Sequence, residues 1–212
     1  FRILRGVGGR YRLHGEDGTE SDASPRGLFR RNGQVPTPGD LVECRPSGDP
    51  DMPWRMERIL PRNNLFLRPP LANLDMLLLI FSMRDPLPDL LLLDKLLILC
   101  GANRVNPVIC VTKCDLAEEE AVALARIYRA AGYPVTMSRL GPDRRPDLDW
   151  LPPADTTIAM AGPSGSGKST LMNHLTGEDR MEIGTVSRRI GRGRHTTRHV
   201  ELIPLPGGGY LA

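Results

Sequence analysis

Aromatic residues make up only 5% of this 212-residue chain. Readout of exposed bases by stacking needs more of them than that. If the chain meets nucleic acid, backbone and shape contact is the expected mode. Paired cysteine motifs are also missing: Cys44, Cys100, Cys110 and Cys114 include no C-x-x-C. Cys110 and Cys114 stand one helical turn apart in number, but a strand end and a loop fall between them, and no His is near. This argues against zinc or a disulfide framework and for reduced, buried or half-buried thiols. No strong charge of one sign exists either; the net charge of +3 is too mild to imply a nucleic-acid partner by itself. Long apolar runs are absent, since the most apolar stretch, Leu74–Ser82, is too short to span a bilayer. Phe1–Arg12 is basic and lacks the apolar centre of a signal peptide. The expectation is a soluble, cytoplasmic protein with no membrane contact. The hydrophobic share of 40% is enough for a core, and the length suits one large domain or one medium and one small.

The strongest feature present is Thr157–Thr170, T-I-A-M-A-G-P-S-G-S-G-K-S-T. An apolar strand, Ile158–Ala161, runs into Gly162, Pro163, Ser164, Gly165, Ser166, Gly167, Lys168 and Ser169. This is the phosphate-loop pattern G-x-x-x-x-G-K-[ST], and Thr170 comes directly after it. The glycines let backbone N–H groups curve around a phosphate. The next helix, with Leu171, Met172 and Leu175 on one side, points its positive end at the same anion. Lys168 adds a cation, and the Ser169 hydroxyl can reach Mg²⁺. The bland reading, a Gly-rich strand-to-helix turn, has to fill every fixed position by chance.

Residues 1–64 are rich in Gly and Arg and carry short alternating runs. Ile3 to Leu13 reads as a hairpin broken at Gly8-Gly9. Further short strands are expected at Gly27–Arg30, Leu41–Cys44 and Trp54–Leu60, and Glu16–Pro25 reads as a polar loop. Such strands joined by Gly, Pro and Asp turns predict a small β-barrel of the OB-fold kind. Its basic residues are all Arg, Arg30 and Arg31 among them. They form either a solvated surface or a face for RNA phosphates.

Residues 65–212 read as an α/β domain. Asn73–Ser82 and Pro107–Val111 are near-continuous apolar runs, as in strands buried on both faces. Helices are expected over Leu87–Cys100 and Ala117–Ala131, and a third strand over Pro134–Met137. Strand, helix, strand, helix, strand signals a mainly parallel sheet flanked by helices. The second strand ends in Thr112-Lys113-Cys114-Asp115. A carboxylate at a strand's carboxyl end can accept both N1–H and N2–H of guanine, a pair adenine lacks. The Lys113 stem can lie along the base. Ser138, ending the third strand, can offer a backbone N–H to guanine O6 or be a turn residue. This base reader precedes the phosphate loop, the reverse of the usual order, so the domain reads as circularly permuted.

After the phosphate-loop helix come Arg188, Arg189, Arg192, Arg194 and Arg198 with no acid between them. A GTPase's first switch belongs here. Thr197 is the first choice to reach Mg²⁺ and Thr196 the second. The other reading is a segment bound only to RNA phosphates, to which Arg188, Arg189, Arg192 and Arg194 would contribute. Val200–Leu205 and Gly209–Ala212 then read as a hairpin.

The combination resembles the circularly permuted, small-ribosomal-subunit-dependent GTPases. The stretches that carry it are R-N-N-L-F-L-R-P-P-L-A-N-L-D (Arg62–Asp75), T-K-C-D-L (Thr112–Leu116), G-P-S-G-S-G-K-S-T-L-M-N (Gly162–Asn173) and G-R-G-R-H-T-T-R (Gly191–Arg198). The resemblance implies an enzyme that binds GTP and GDP with Mg²⁺ and hydrolyses GTP in late maturation of the small subunit. It also implies stimulation by that subunit and contact with its rRNA, and a monomer is expected. It puts catalysis on His195, whose other readings are a phosphate contact or simple exposure. Three departures stand out. Thr112 replaces the usual Asn, with a looser tie to the phosphate loop expected. Ser166 stands where Val is usual, and Pro163 comes after the first Gly. The family's D-x-P-G switch and its zinc domain are expected beyond Ala212, so Zn²⁺ has no ligand here and the chain reads as a fragment. Two other functions fit parts of the pattern: a guanylate-kinase-like nucleotide kinase, and an RNA-binding assembly factor whose nucleotide site does not hydrolyse.

Overall fold

In the computed structural model, residues 1–27, 29, 33–138, 155–176 and 200–212 are described. Two compact units divide the chain, the first formed mainly by Phe1–Leu74 and the second mainly by residues from Asp75 onward.

The first unit is built on β1 (Arg2–Val7), β2 (Arg10–His14), β3 (Glu20–Pro25), β4 (Val42–Asp49) and β5 (Met52–Ile59). They form one sheet in the order β1-β2-β3-β5-β4. All pairs are antiparallel except β3 with β5, which is parallel. The edges meet: Arg2 bridges Leu41, and Val42 N–H donates to the Phe1 carbonyl at 2.8 Å. A five-stranded closed sheet of this order is the expected OB-type barrel. Ile3, Leu13, Ala23, Val42 and Met56 fill it, with Phe1 and Trp54 packed alongside at 4.8 Å between ring centres.

Two sequence expectations fail here. Glu16–Pro25 is not a loop throughout, because Glu20–Pro25 is the strand β3. Its backbone is paired on both sides, while Ala23 is its only fully buried residue. A strand held by hydrogen bonds and one methyl group leaves little hydrophobic pattern to read. Gly27 and Phe29 are helical, not extended. Phe29 N–H donates to the Arg26 carbonyl at 3.0 Å, and its ring joins the barrel core. Leu28, Arg30 and Arg31 lie outside the described residues.

A small hairpin, β6 (Leu65–Leu67) and β7 (Pro70–Ala72), comes after the barrel. Around it the stretch starting at Arg62 has a structural role. Arg62 makes a two-pronged pair with the wholly buried Asp40, at 2.6 and 2.7 Å. Asp40 also accepts from Thr37 N–H at 2.8 Å. With its other lone pairs satisfied, the buried charge is tolerated; removing Arg62 would strand it.

The second unit carries β8 (Met76–Ser82), α1 (Leu90–Asn103), β9 (Asn106–Thr112), α2 (Glu118–Ala130), β10 (Val135–Ser138), β11 (Thr157–Ala161) and α3 (Lys168–Thr176). Two short strands, β12 (Ile203–Pro204) and β13 (Tyr210–Leu211), complete a six-stranded sheet of order β10-β9-β8-β11-β13-β12. The first four run parallel. Leu78, Leu79, Ile80 and Phe81 of β8 are wholly buried, as its two-faced apolar run predicts. Helix α1 starts later than expected because Pro86 and Pro88 precede it; Asp89 caps it by accepting Leu92 N–H at 3.0 Å. The Asp75 carboxylate holds the start of β11, accepting Thr157 N–H at 2.8 Å. The cysteines are free thiols, three buried and Cys44 half-buried. Burial pushes the Cys110 thiol up to about 12, so it stays protonated.

Candidate functional site

The order β9-β8-β11 places the ends of three parallel strands side by side. Because β9 and β11 flank β8, the strand order reverses here. In open α/β sheets the crevice at such a reversal, on the carboxyl side, is where ligands bind. Register aligns the row: Ser82 of β8 and Ser138 of β10 both pair with Thr112 of β9. The phosphate loop leaves β11 at Ala161, whose partner is Leu79.

The loop itself depends on glycine at its first position. Gly162 has φ 151°, and a Cβ there would sit 2.0 Å from the Ile80 carbonyl oxygen. Only glycine lets the loop turn this tightly over β8. Gly167, at φ 98°, leads directly into α3. Leu171 and Leu175 anchor the helix by burial, while Met172 is half-buried. Lys168 is half-buried and its Nζ donates to the carbonyls of Gly162 and Pro163 at 2.8 and 2.5 Å. Burial lowers its pKa from the ordinary lysine value. Ser164 and Gly165 are exposed, and Ser169 and Thr170 half-buried, on the first turn of α3.

On the base side, Lys113 adopts the left-handed region at φ 54°, and Cys114–Leu116 form a 3-10 turn. This turn buries Cys114 and leaves Asp115 exposed. The carboxylate is therefore free to meet a ligand edge. Ser138 is buried, and its Oγ has no hydrogen-bond partner among the described residues. A buried orphan hydroxyl is uncommon in a finished core; its place beside Thr112 fits a site completed by a ligand.

Where a looser tie is expected, Thr112 makes a direct one. Its Oγ1 donates to the Ser166 carbonyl at 2.7 Å, both residues wholly buried. The hydroxyl thus links the base motif to the phosphate loop directly. Loss of this bond strands a buried carbonyl, which costs about 1–3 kcal/mol. Thr112→Val is expected to lower stability by about that much and weaken guanine-nucleotide binding several-fold. Urea unfolding and nucleotide titration would check this; a valine variant matching the parent in both would refute the link. Ser166, the other departure, buries its hydroxyl without a partner among the described residues.

Three Arg-bearing or switch features lie outside the described residues: Arg30 and Arg31; Arg188, Arg189, Arg192 and Arg194; and His195 with Thr196 and Thr197. Sequence reasoning missed the segment after β8, Ser82–Pro86, which supplies carbonyls to Lys113. The available signal was its position after a fully apolar central strand. Among the described residues no three His, Cys, Asp or Glu side chains group as a metal site, and no helix is long and apolar enough to cross a membrane.

The RsgA GTPase family model matches residues 59–212. A small ribosomal subunit biogenesis GTPase RsgA of Ruminiclostridium cellulolyticum is 40% identical over 217 residues, spanning 99% of this chain and 69% of the relative. One of that name from Caldanaerobacter subterraneus subsp. tengcongensis is 37% identical, spanning 99% and 70%. Among solved structures, YloQ, a circularly permuted GTPase, superposes with a TM-score of 0.76 at 32% identity, covering 99% of this chain and 68% of its own. YjeQ from Thermotoga maritima gives 0.77 at 25% identity, covering 99% and 72%. A phosphate-loop pattern placed after the T-K-C-D stretch, on a fold shared along nearly the whole chain with these proteins, puts the chain in the RsgA GTPase family.

Proposed function

We propose that this chain binds GTP at the carboxyl ends of β9, β8 and β11 and hydrolyses it to GDP and phosphate during maturation of the small ribosomal subunit. The single observation that carries the site is the Thr112–Ser166 bond, which ties a guanine-reading turn to a phosphate loop in one sheet. The role in subunit maturation is carried by the relatives' names and their identity along the chain.

Each residue has a task in this reading. The backbone N–H groups of Gly165 to Ser169, together with the positive end of α3, cradle the β- and γ-phosphates. Lys168 leaves the loop carbonyls and meets the phosphate oxygens. Its lowered pKa reflects an ammonium poorly solvated by its own surroundings, which an anion would compensate. Asp115 accepts from guanine N1–H and N2–H, Lys113 lies along the base, and Ser138 N–H meets O6. The donor set fits Mg²⁺, which takes one or two protein oxygens and leaves the rest to phosphate and water. Ser169 would hold it, with Thr197 as second ligand. When bound, the ion neutralises charge building on the transferred phosphoryl group. His195 is assigned to catalysis by the family resemblance and orients or deprotonates the attacking water.

The rRNA contact is assigned to arginines of the barrel and of the segment before His195, Arg30, Arg31, Arg188, Arg189, Arg192 and Arg194. Supporting it, Arg5, Arg10 and Arg12 line an open concavity of about 480 Å³ on the barrel, with Val7 and Asp22. Arg12 is partly neutralised there by Asp22 at 3.2 Å. The protein acts as a monomer in the cytoplasm in this reading. GTP turnover measured with and without purified small subunits tests the whole. A rise of at least about tenfold is expected, of the kind a partner completing a phosphoryl-transfer site produces. Equal rates would overturn the ribosomal role.

A further inference from the structure

Central strand β8 lies between the strand that ends in the base motif and the strand that ends in the phosphate loop. Its exit segment, Ser82 to Pro86, therefore leaves the sheet between the two. Ser82 is wholly buried, and its Oγ donates to the Pro86 carbonyl at 2.7 Å, closing the segment into a tight turn. The turn presents two carbonyls to one cation. Lys113 Nζ donates to Arg84 O at 3.1 Å and also to Asp85 O. On its other side the turn meets the phosphate loop. Pro86 Cδ and Asp85 O lie 3.5 and 3.6 Å from where a Cβ on Gly165 would stand. From outside, the Arg84 guanidinium reaches Glu120 on α2 at 2.8 Å, an exposed pair that adds little by itself.

We propose that Ser82, through the turn it closes to Pro86, is a positioning residue of the nucleotide site: it fixes the carbonyls that hold the Lys113 ammonium and seats them against the phosphate loop at Gly165. Ser82 itself touches no nucleotide. Its effect passes through Lys113, whose long stem loses freedom when it settles along a base. Held in advance at φ 54° and by two carbonyls, that stem has less freedom left to lose on binding. The rigid turn also abuts Gly165, so base side and phosphate side are set relative to one another before a ligand arrives. This inference rests on the reading of Lys113 as a base-contacting residue.

A double-mutant cycle on GDP affinity tests it. Ser82→Ala is expected to weaken GDP about fivefold, the effect of one buried hydrogen bond. Ser82→Thr, which keeps the hydroxyl, is expected to restore affinity to within about twofold. In a Lys113→Ala background the Ser82→Ala loss should disappear, because the cation it positions is gone. A merely structural Ser82 would instead lose affinity equally in both backgrounds, and that result overturns the inference, as does an unchanged affinity in Ser82→Ala. If the alanine variant does not fold, Ser82→Cys, of similar volume and a poor donor, takes its place in the cycle. GDP affinity indifferent to Lys113→Ala would overturn the inference together with the reading it rests on. Affinity sensitive to Lys113→Ala but not to Ser82 would overturn only the positioning role.

Discussion

Lys168→Ala is expected to weaken GTP binding by about 100-fold or more, because charged hydrogen bonds to phosphate are each worth about 1.5–3 kcal/mol. The loss of affinity arises because the phosphate oxygens lose their cation. The loop carbonyls of Gly162 and Pro163, which Lys168 leaves when GTP binds, lose the donor that holds them at 2.8 and 2.5 Å in the protein without ligand. That second effect predicts a cost to the stability of the ligand-free protein, not to GTP affinity. Lys168→Arg should not rescue binding, since a longer planar fork does not fit the place that a compact ammonium fills in the loop. Equilibrium titration with a fluorescent GTP analogue would measure this. GTP affinity equal to the parent's in the alanine variant would sink the phosphate-loop assignment.

Asp115→Asn is expected to change which base is bound more than how tightly phosphate is held. The carboxylate can accept two N–H groups from guanine; the amide offers one acceptor and one donor. Guanine then meets a donor where it presents a donor, and GTP should weaken by about 100-fold or more. Xanthine carries a carbonyl in place of the N2 amine and matches the amide, so xanthosine triphosphate should gain. Competition between the two nucleotides on parent and variant reads the switch directly. An unchanged preference would remove Asp115 as the base reader. The exposure of Asp115, at the tip of a turn that buries its neighbour Cys114, is what makes the swap possible without disturbing the core. The two substitutions act on opposite ends of one ligand and should combine additively unless the Thr112–Ser166 tie transmits between them.

Much of the site is legible in the chain because its chemistry is local. The phosphate loop is contiguous, and each of its positions is constrained by backbone shape or charge. The base motif is four residues at the end of an apolar run, and the run itself marks the strand. β8 and β9 can be read because both faces are buried along most of their length, so Leu77–Phe81 and Pro107–Val111 are unbroken apolar runs. β3 cannot, because its pairing with β2 and β5 leaves polar residues facing solvent and only Ala23 inside. Phe29 is similarly hidden, since its ring joins the barrel core from a position with no strand pattern around it.

The sequence by itself carried the permuted order, through the order in which its motifs occur, and the resemblance to a family, through four stretches of the chain. Only the tertiary structure decided which elements share an edge. β11 lies against β8, far from it in the chain, and this sets the phosphate loop beside the base motif. It also decided that Thr112, expected to loosen the tie, makes a direct one, by a hydroxyl aimed at Ser166 across 54 residues. And it singled out Ser82, a serine with no motif around it, whose place beside Thr112 results from its strand lying between β9 and β11. A hydrogen bond's partner is a matter of distance in space, and a sequence lists only distance along the chain.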